Sequence, residues 1–207
     1  MARPGFPPVR LRGFSMIEVL VSLIIIVLGL LGLAGLQVRM QQSEFESYQR
    51  AQALVLLQDM VDRIQVHRIT ASCFRFTTNT ANGTPYVGTG STVTPACAAS
   101  TANDNTRANE AIAEWDDLLQ GVAETKGGSS VGAMVGARGC VSYDPATELI
   151  DSVTAAAIPD TGVYLVAISW QGTNDTFAPT VNCGNTLYGA ETRRRVVSTT
   201  FRLARLN

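Results

Sequence analysis

Gly13-Phe14-Ser15-Met16-Ile17-Glu18, followed without a break by the apolar run from Val19 to Leu36, decides how the rest of the chain is read. Between Val19 and Leu36 only Ser22, Gly29, Gly32 and Gly35 are not aliphatic or alanine. Eighteen residues of this kind match the length a helix needs to cross a hydrocarbon core. On the amino side stand Arg3, Arg10 and Arg12 with no acidic residue, and the next basic residue after them is Arg39. That asymmetry places the amino end on the cytoplasmic side. Glu18 is out of place in such a segment. A carboxylate at the start of a spanning helix costs on the order of a few kcal/mol unless it finds a partner or reaches the interface, which makes it a functional candidate. An ordinary secretory cleavage site would follow the apolar run, whereas the glycine junction here precedes it.

These residues, in this order, resemble the prepilin cleavage motif of type IV pilins and type II secretion pseudopilins. The resemblance implies that a prepilin peptidase cuts after Gly13 and N-methylates Phe14. It also implies that Glu18 is the assembly carboxylate, set against the amino terminus of a neighbouring subunit. The pairing is electrostatically sensible: an α-amino group has a reference pKa near 8, and opposite charges in contact let both groups stay ionised in a poorly solvated place. Residues 1–13 are then a leader peptide.

Past Leu36 the chain turns polar but nothing breaks it, since no proline lies between Pro8 and Pro85. Ala53, Leu57, Met60, Val61 and Ile64 recur at three- and four-residue steps and predict an apolar stripe, with Gln58, Asp59, Asp62 and Gln65 opposite. Glu46 with Arg50, and Asp59 with Arg63, are acid-before-base pairs at i,i+4. The prediction is one helix from Phe14 to about Arg68, roughly 80 Å long at about 1.5 Å per residue. Residues 14–36 are its transmembrane or filament-core half and 37–70 its amphipathic half. Gly29, Gly32 and Gly35 weaken it, by up to about 1 kcal/mol each.

Residues 71–207 read as an exported globular head. Ala71 to Arg107 is a Thr-, Asn- and Gly-rich connection with one short strand near Pro85-Tyr86-Val87. Ile112, Trp115, Leu118, Leu119 and Val122 mark a second helix from Asn109 to Ala123. A turn at Gly127-Gly128-Ser129-Ser130 precedes a strand and turn from Arg138 to Pro145. Gly162 to Trp170 is a central strand, and Arg195 to Leu206 a final one. The fold class is α+β: a long N-terminal helix and a small antiparallel sheet of three or four strands, which the resemblance makes type IV pilin-like. Trp115 and Trp170 are core candidates, and Arg193-Arg194-Arg195 reads as a solvated strand entry.

Cys73, Cys97, Cys140 and Cys183 in an exported head point to two disulfides. Three connectivities are open. Cys73–Cys97 with Cys140–Cys183 is preferred, because it closes the loop leaving the long helix and pins the loop between the last two strands. No Cys-x-x-Cys spacing exists and the only histidine is His67, so no metal or other cofactor is expected. The single histidine and the absence of a phosphate-binding glycine loop also argue against an enzyme. Removal of the leader takes away three arginines and leaves 13 basic side chains against 17 acidic, a net of −4. That balance does not favour a general nucleic-acid binder.

The segments Ser47 to Ala53, Asp59 to Ile64, Ala137 to Asp144, Tyr164 to Gly172, Asn182-Cys183-Gly184 and Thr192 to Val197 are similar to PilV-type minor pilins. That likeness implies a minor pilin in the bacterial inner membrane, with a periplasmic head. It would enter the pilus filament, near its tip, beside other minor pilins and the major pilin. It would prime pilus assembly, and so support adhesion, twitching motility or DNA uptake. A type II secretion minor pseudopilin is the alternative that shares the leader. A tip adhesin or DNA-binding subunit is a further one, for which the sequence names no nucleic-acid or small-molecule ligand. The chain departs from many major pilins in lacking a proline in this helix, where Gly35 stands.

Overall fold

The computed structural model describes residues 13–122, 125–130 and 134–204. The leader arginines Arg3, Arg10 and Arg12, Ala123 at the expected end of the second helix, and Leu206 at the expected end of the last strand lie outside them. The chain divides into two compact units, Met1–Glu44 and Phe45–Asn207.

Helix α1 spans Met16–Val66. In the second unit its stripe buries Ala53, Leu57, Met60, Val61 and Ile64, joined by Gln49 and Leu56. The helix stops slightly before the expected Arg68. His67 has left helical geometry (φ −93°, ψ 42°), and Arg68–Phe74 follows as a 3-10 turn. β1 (Val87–Gly88) is the short strand beside Pro85. Helix α2 (Ala102–Leu119) begins seven residues before its expected start at Asn109 and ends at Leu119, so Val122, expected on its apolar side, lies in the turn beyond it. Its first turns carry no apolar period, so periodicity missed them. A cap sets the start: Thr101 Oγ1 accepts from the Asp104 amide at 3.3 Å and donates to the Asp104 carboxylate at 2.7 Å. Strands β2 (Thr125–Lys126) and β3 (Ser129–Ser130) form a small hairpin. Strands β4 (Arg138–Asp144), β5 (Val163–Gln171) and β6 (Arg194–Arg202) complete a four-stranded antiparallel sheet in the order β1-β4-β5-β6. The architecture is α+β, and β5 lies in the sheet interior.

Alternation along the strands separates two layers of packing. Val141, Tyr164, Val166, Ile168, Trp170 and Val197 join the stripe of α1 and the apolar side of α2 in the main core. Cys140, Ala167 and Cys183, with Tyr86, form a small cluster on the other face. Trp115 is the joint between the helices and the sheet. It is fully buried, and its indole Nε1 donates to Leu56 O of α1 at 2.9 Å. The ring leaves no room beneath it: a Cβ on Gly139 of β4 would lie 2.2 Å from Trp115 Cη2. Burying an aromatic of this size stabilises by about 1.5–3 kcal/mol.

Two disulfides fasten the loops. Cys73–Cys97 ties the 3-10 turn after α1 to the segment before α2, and Cys140–Cys183 ties β4 to the loop between β5 and β6. This is the connectivity preferred from the sequence.

Candidate functional site

The candidate site is the junction at Gly13-Phe14 with the apolar helix behind it. Gly13, Phe14 and Ser15 precede α1 as non-helical backbone. Ser15 O accepts from the amides of Glu18 and Val19, at 3.0 and 3.3 Å, and so closes the first turn. Glu18 therefore sits in that first turn, where the unpaired amides of a helix start favour a negative charge. Phe14 is 84% exposed, so the bond between it and Gly13 is open to an approaching protein.

What distinguishes the helix behind the junction is that its own unit covers none of it. The window is apolar enough to cross a membrane, with a mean hydropathy of 2.9, and none of it is buried. Thirteen large aliphatic side chains from Val19 to Leu36 stand 47–65% exposed. Putting them all in water forgoes on the order of 20 kcal/mol of burial. A helix apolar on every side belongs in a core or in lipid. The polar exception is internally satisfied, because Ser22 Oγ donates to Val19 O at 2.8 Å. Gly29, Gly32 and Gly35 have nothing within 4 Å of where a Cβ would stand, so no packing inside this unit calls for them. Glu18 is the one charged residue from Phe14 to Val38.

Comparison of the chain with protein-family models, with curated proteins and with solved structures finds no match.

The structure corrects two readings of charge in the second unit. Arg193-Arg194-Arg195 is not a solvated strand entry. Arg194 is 1% exposed. Its Nε donates to Glu191 at 2.6 Å, and its other nitrogens donate to the carbonyl oxygens of Val181, Cys183 and Pro179. One guanidinium thus gathers the loop that Cys183 also anchors. Arg193 pairs with Asp175, and Arg195 with Glu46. The expected Glu46–Arg50 pair is replaced by that contact. Glu46 Oε1 accepts from Thr173 Oγ1 at 2.6 Å and from the amides of Thr173 and Asn174 at 3.1 and 3.3 Å. The Thr173 hydroxyl leads in holding the Glu46 carboxyl below its usual range, helped by the Asn174 amide and by Arg195. Asp59–Arg63 does form, at 2.7 Å. A tyrosine does similar work on another loop: Tyr143 OH donates to Glu148 at 2.6 Å and accepts from the Gly162 amide at 3.0 Å. Burial, then the Glu148 hydrogen bond, pushes its phenol up to about 12, so it stays neutral and structural.

Proposed function

We propose that this chain is a type IV pilin-like subunit, similar in several segments to PilV-type minor pilins. In this reading it is processed after Gly13 and incorporated through its N-terminal helix. The observation that supports it is the conjunction at one end of the chain: an exposed Gly13-Phe14 junction, a lone Glu18 in the first turn, and an apolar helix uncovered on every side. A plain membrane anchor needs the apolar run alone and has no use for a carboxylate at its head. An assembling helix uses both. Before assembly the bilayer covers the aliphatic surface. After assembly the helices of neighbouring subunits cover it, and Glu18 meets the new amino group of Phe14 on a neighbour. Packing without that partner leaves a carboxylate uncompensated, so the pair sets the register of entry. The two disulfides suit a head exported to an oxidising compartment.

The test is intact mass and N-terminal sequence of the protein recovered from bacterial membranes, with and without the prepilin peptidase. The expected product begins at N-methylated Phe14 only when the peptidase is present. A chain that keeps residues 1–13 in both strains would reduce the segment to a signal anchor. Glu18→Ala should still be cleaved yet fail to enter filaments, and normal assembly of that variant would remove the register role.

A further inference from the structure

Strand β6 ends the sheet and is paired on one side only. It runs residue for residue against β5, from Arg194 opposite Gln171 to Arg202 opposite Val163, with no bulge. Its upper end gives the phase of the ladder. The Gly172 amide donates to Arg193 O at 2.8 Å, one step beyond the last pair of the same register. Bonded and non-bonded pairs alternate in an antiparallel ladder. Arg195, Val197, Thr199 and Phe201 therefore bond to β5, while Val196, Ser198 and Thr200 turn N–H and C=O outward. Among the described residues, nothing hydrogen-bonds those outward groups.

Edges of this kind are usually blunted by proline, charged side chains, a bulge or brevity. In β6 the charges stand only at the ends, at Arg194, Arg195 and Arg202, and the stretch from Val196 to Phe201 has no proline, charge or bulge. Four of its residues are β-branched, which suits further pairing. Charge then selects the occupant. Arg193, Arg194 and Arg195 each face a carboxylate, those of Asp175, Glu191 and Glu46. Arg202, at the far end, donates to the carbonyl oxygens of Thr147 and Thr161 at 2.5 and 3.0 Å. Among the described residues it has no carboxylate within ion-pair distance. A second copy of β6 is the poorer occupant. Full antiparallel overlap about Ser198 sets Arg202 of one copy against Arg194 of the other, a buried cation already held by Glu191, so a second copy offers Arg202 no carboxylate.

We propose that the open edge of β6 accepts an extended strand from a different polypeptide, apolar at the positions beside Val197 and Phe201 and carrying a carboxylate opposite Arg202. Backbone bonds to Val196, Ser198 and Thr200 would supply affinity, and the Arg202 contact would set direction and register. The proposal does not depend on processing at Gly13.

The test uses the full chain in detergent micelles and the capped peptide Asp-Val-Thr-Val-Thr-Val-Thr-Val-Thr, whose first residue falls opposite Arg202 in antiparallel pairing. Amide hydrogen exchange should slow about tenfold or more at Val196, Ser198 and Thr200, with little change at Val197 and Thr199. A peptide N-methylated at its edge-facing amides should have no effect, and lysine in place of the aspartate should weaken binding severalfold. Ser198→Pro removes one outward N–H and no ladder bond, so it should keep buried tryptophan fluorescence and lose the response. No slowing at millimolar peptide, or equal slowing by the N-methylated peptide, would overturn the proposal. So would protection of the same amides without peptide that grows with protein concentration, since the occupant would then be a second copy.

Discussion

The two units of this chain treat apolar side chains in opposite ways. From Val19 to Leu36 thirteen large aliphatic residues face outward, and none is buried. From Ala53 to Ile64 the same helix α1 hides Ala53, Leu56, Leu57, Met60, Val61 and Ile64 beneath a sheet and a second helix. The local conformation is identical, so helix propensity explains neither arrangement. What differs is the pattern. An all-round apolar surface leaves no side for water, whereas a stripe asks for a single cover and leaves the rest to water, where only Leu54 and Val55 of this stretch stand exposed among its large apolar side chains. One sequence feature, the width of the apolar face, therefore assigns one stretch to an external apolar environment and the other to the protein's own core.

Substitutions that respect this difference should have unequal effects. The largest is expected at Arg194, the buried cation of the second unit. Arg194→Ala leaves Glu191 and the carbonyl oxygens of Val181 and Cys183 without their donor, which should cost about 3–5 kcal/mol. Both tryptophans, Trp115 and Trp170, are buried in this unit, so their fluorescence follows its unfolding alone. Denaturant titration read by that signal should show the midpoint fall sharply. An unchanged midpoint would mean that the disulfide at Cys183 holds the loop unaided.

Arg194 also marks where sequence reading stops. Three consecutive arginines look solvated, because nothing local announces that carbonyl oxygens more than ten residues away will converge on one of them. Glu46 misled for the same reason: Arg50 lies one turn away, but Thr173, 127 residues distant, takes the carboxylate. The start of α2 was hidden by alanine and asparagine, which carry no period, while its cap was legible in Thr101 and Asp104. By contrast, the stripe of α1 and the run that forms β5 could be read directly, and the observed cysteine pairing is the one preferred among three. Each depends on spacing or on topology at the level of whole elements. Gly13, Phe14 and Glu18 are a candidate site because they form one contiguous motif, and their roles rest on that motif alone. Structure adds the exposure of the junction and the nakedness of the helix behind it.

Glu46 offers a finer probe of the second unit, through pH. Its carboxyl is held below the usual range in the folded chain, so its contribution is complete above the unfolded value near 4.3. That contribution is lost as pH falls through the lower folded value. Glu46→Gln should therefore lower stability at neutral pH by about 1 kcal/mol or less, the scale of a partly exposed ion pair. The gap between wild type and variant should close between about pH 5 and pH 3. Parallel curves across that range would show that the charge on Glu46 contributes nothing beyond what an amide supplies.

The smallest effect should come from the most hydrophobic place. Leu31→Ala deletes a side chain that is 65% exposed, while Ile64→Ala deletes one that is fully buried. In the buried stripe the change should cost about 2–5 kcal/mol, from lost transfer energy and the cavity left behind. In the apolar run it should leave the tryptophan-monitored midpoint within about 0.5 kcal/mol of wild type, because there is no enclosed site to hollow out. Its consequence belongs instead to whatever medium covers the helix, and should appear as easier extraction from membranes. A Leu31→Ala protein whose second unit melted as early as the Ile64→Ala protein would show that the run is part of that unit's core. The contrast between an uncovered helix and a covered one would then be wrong at its root.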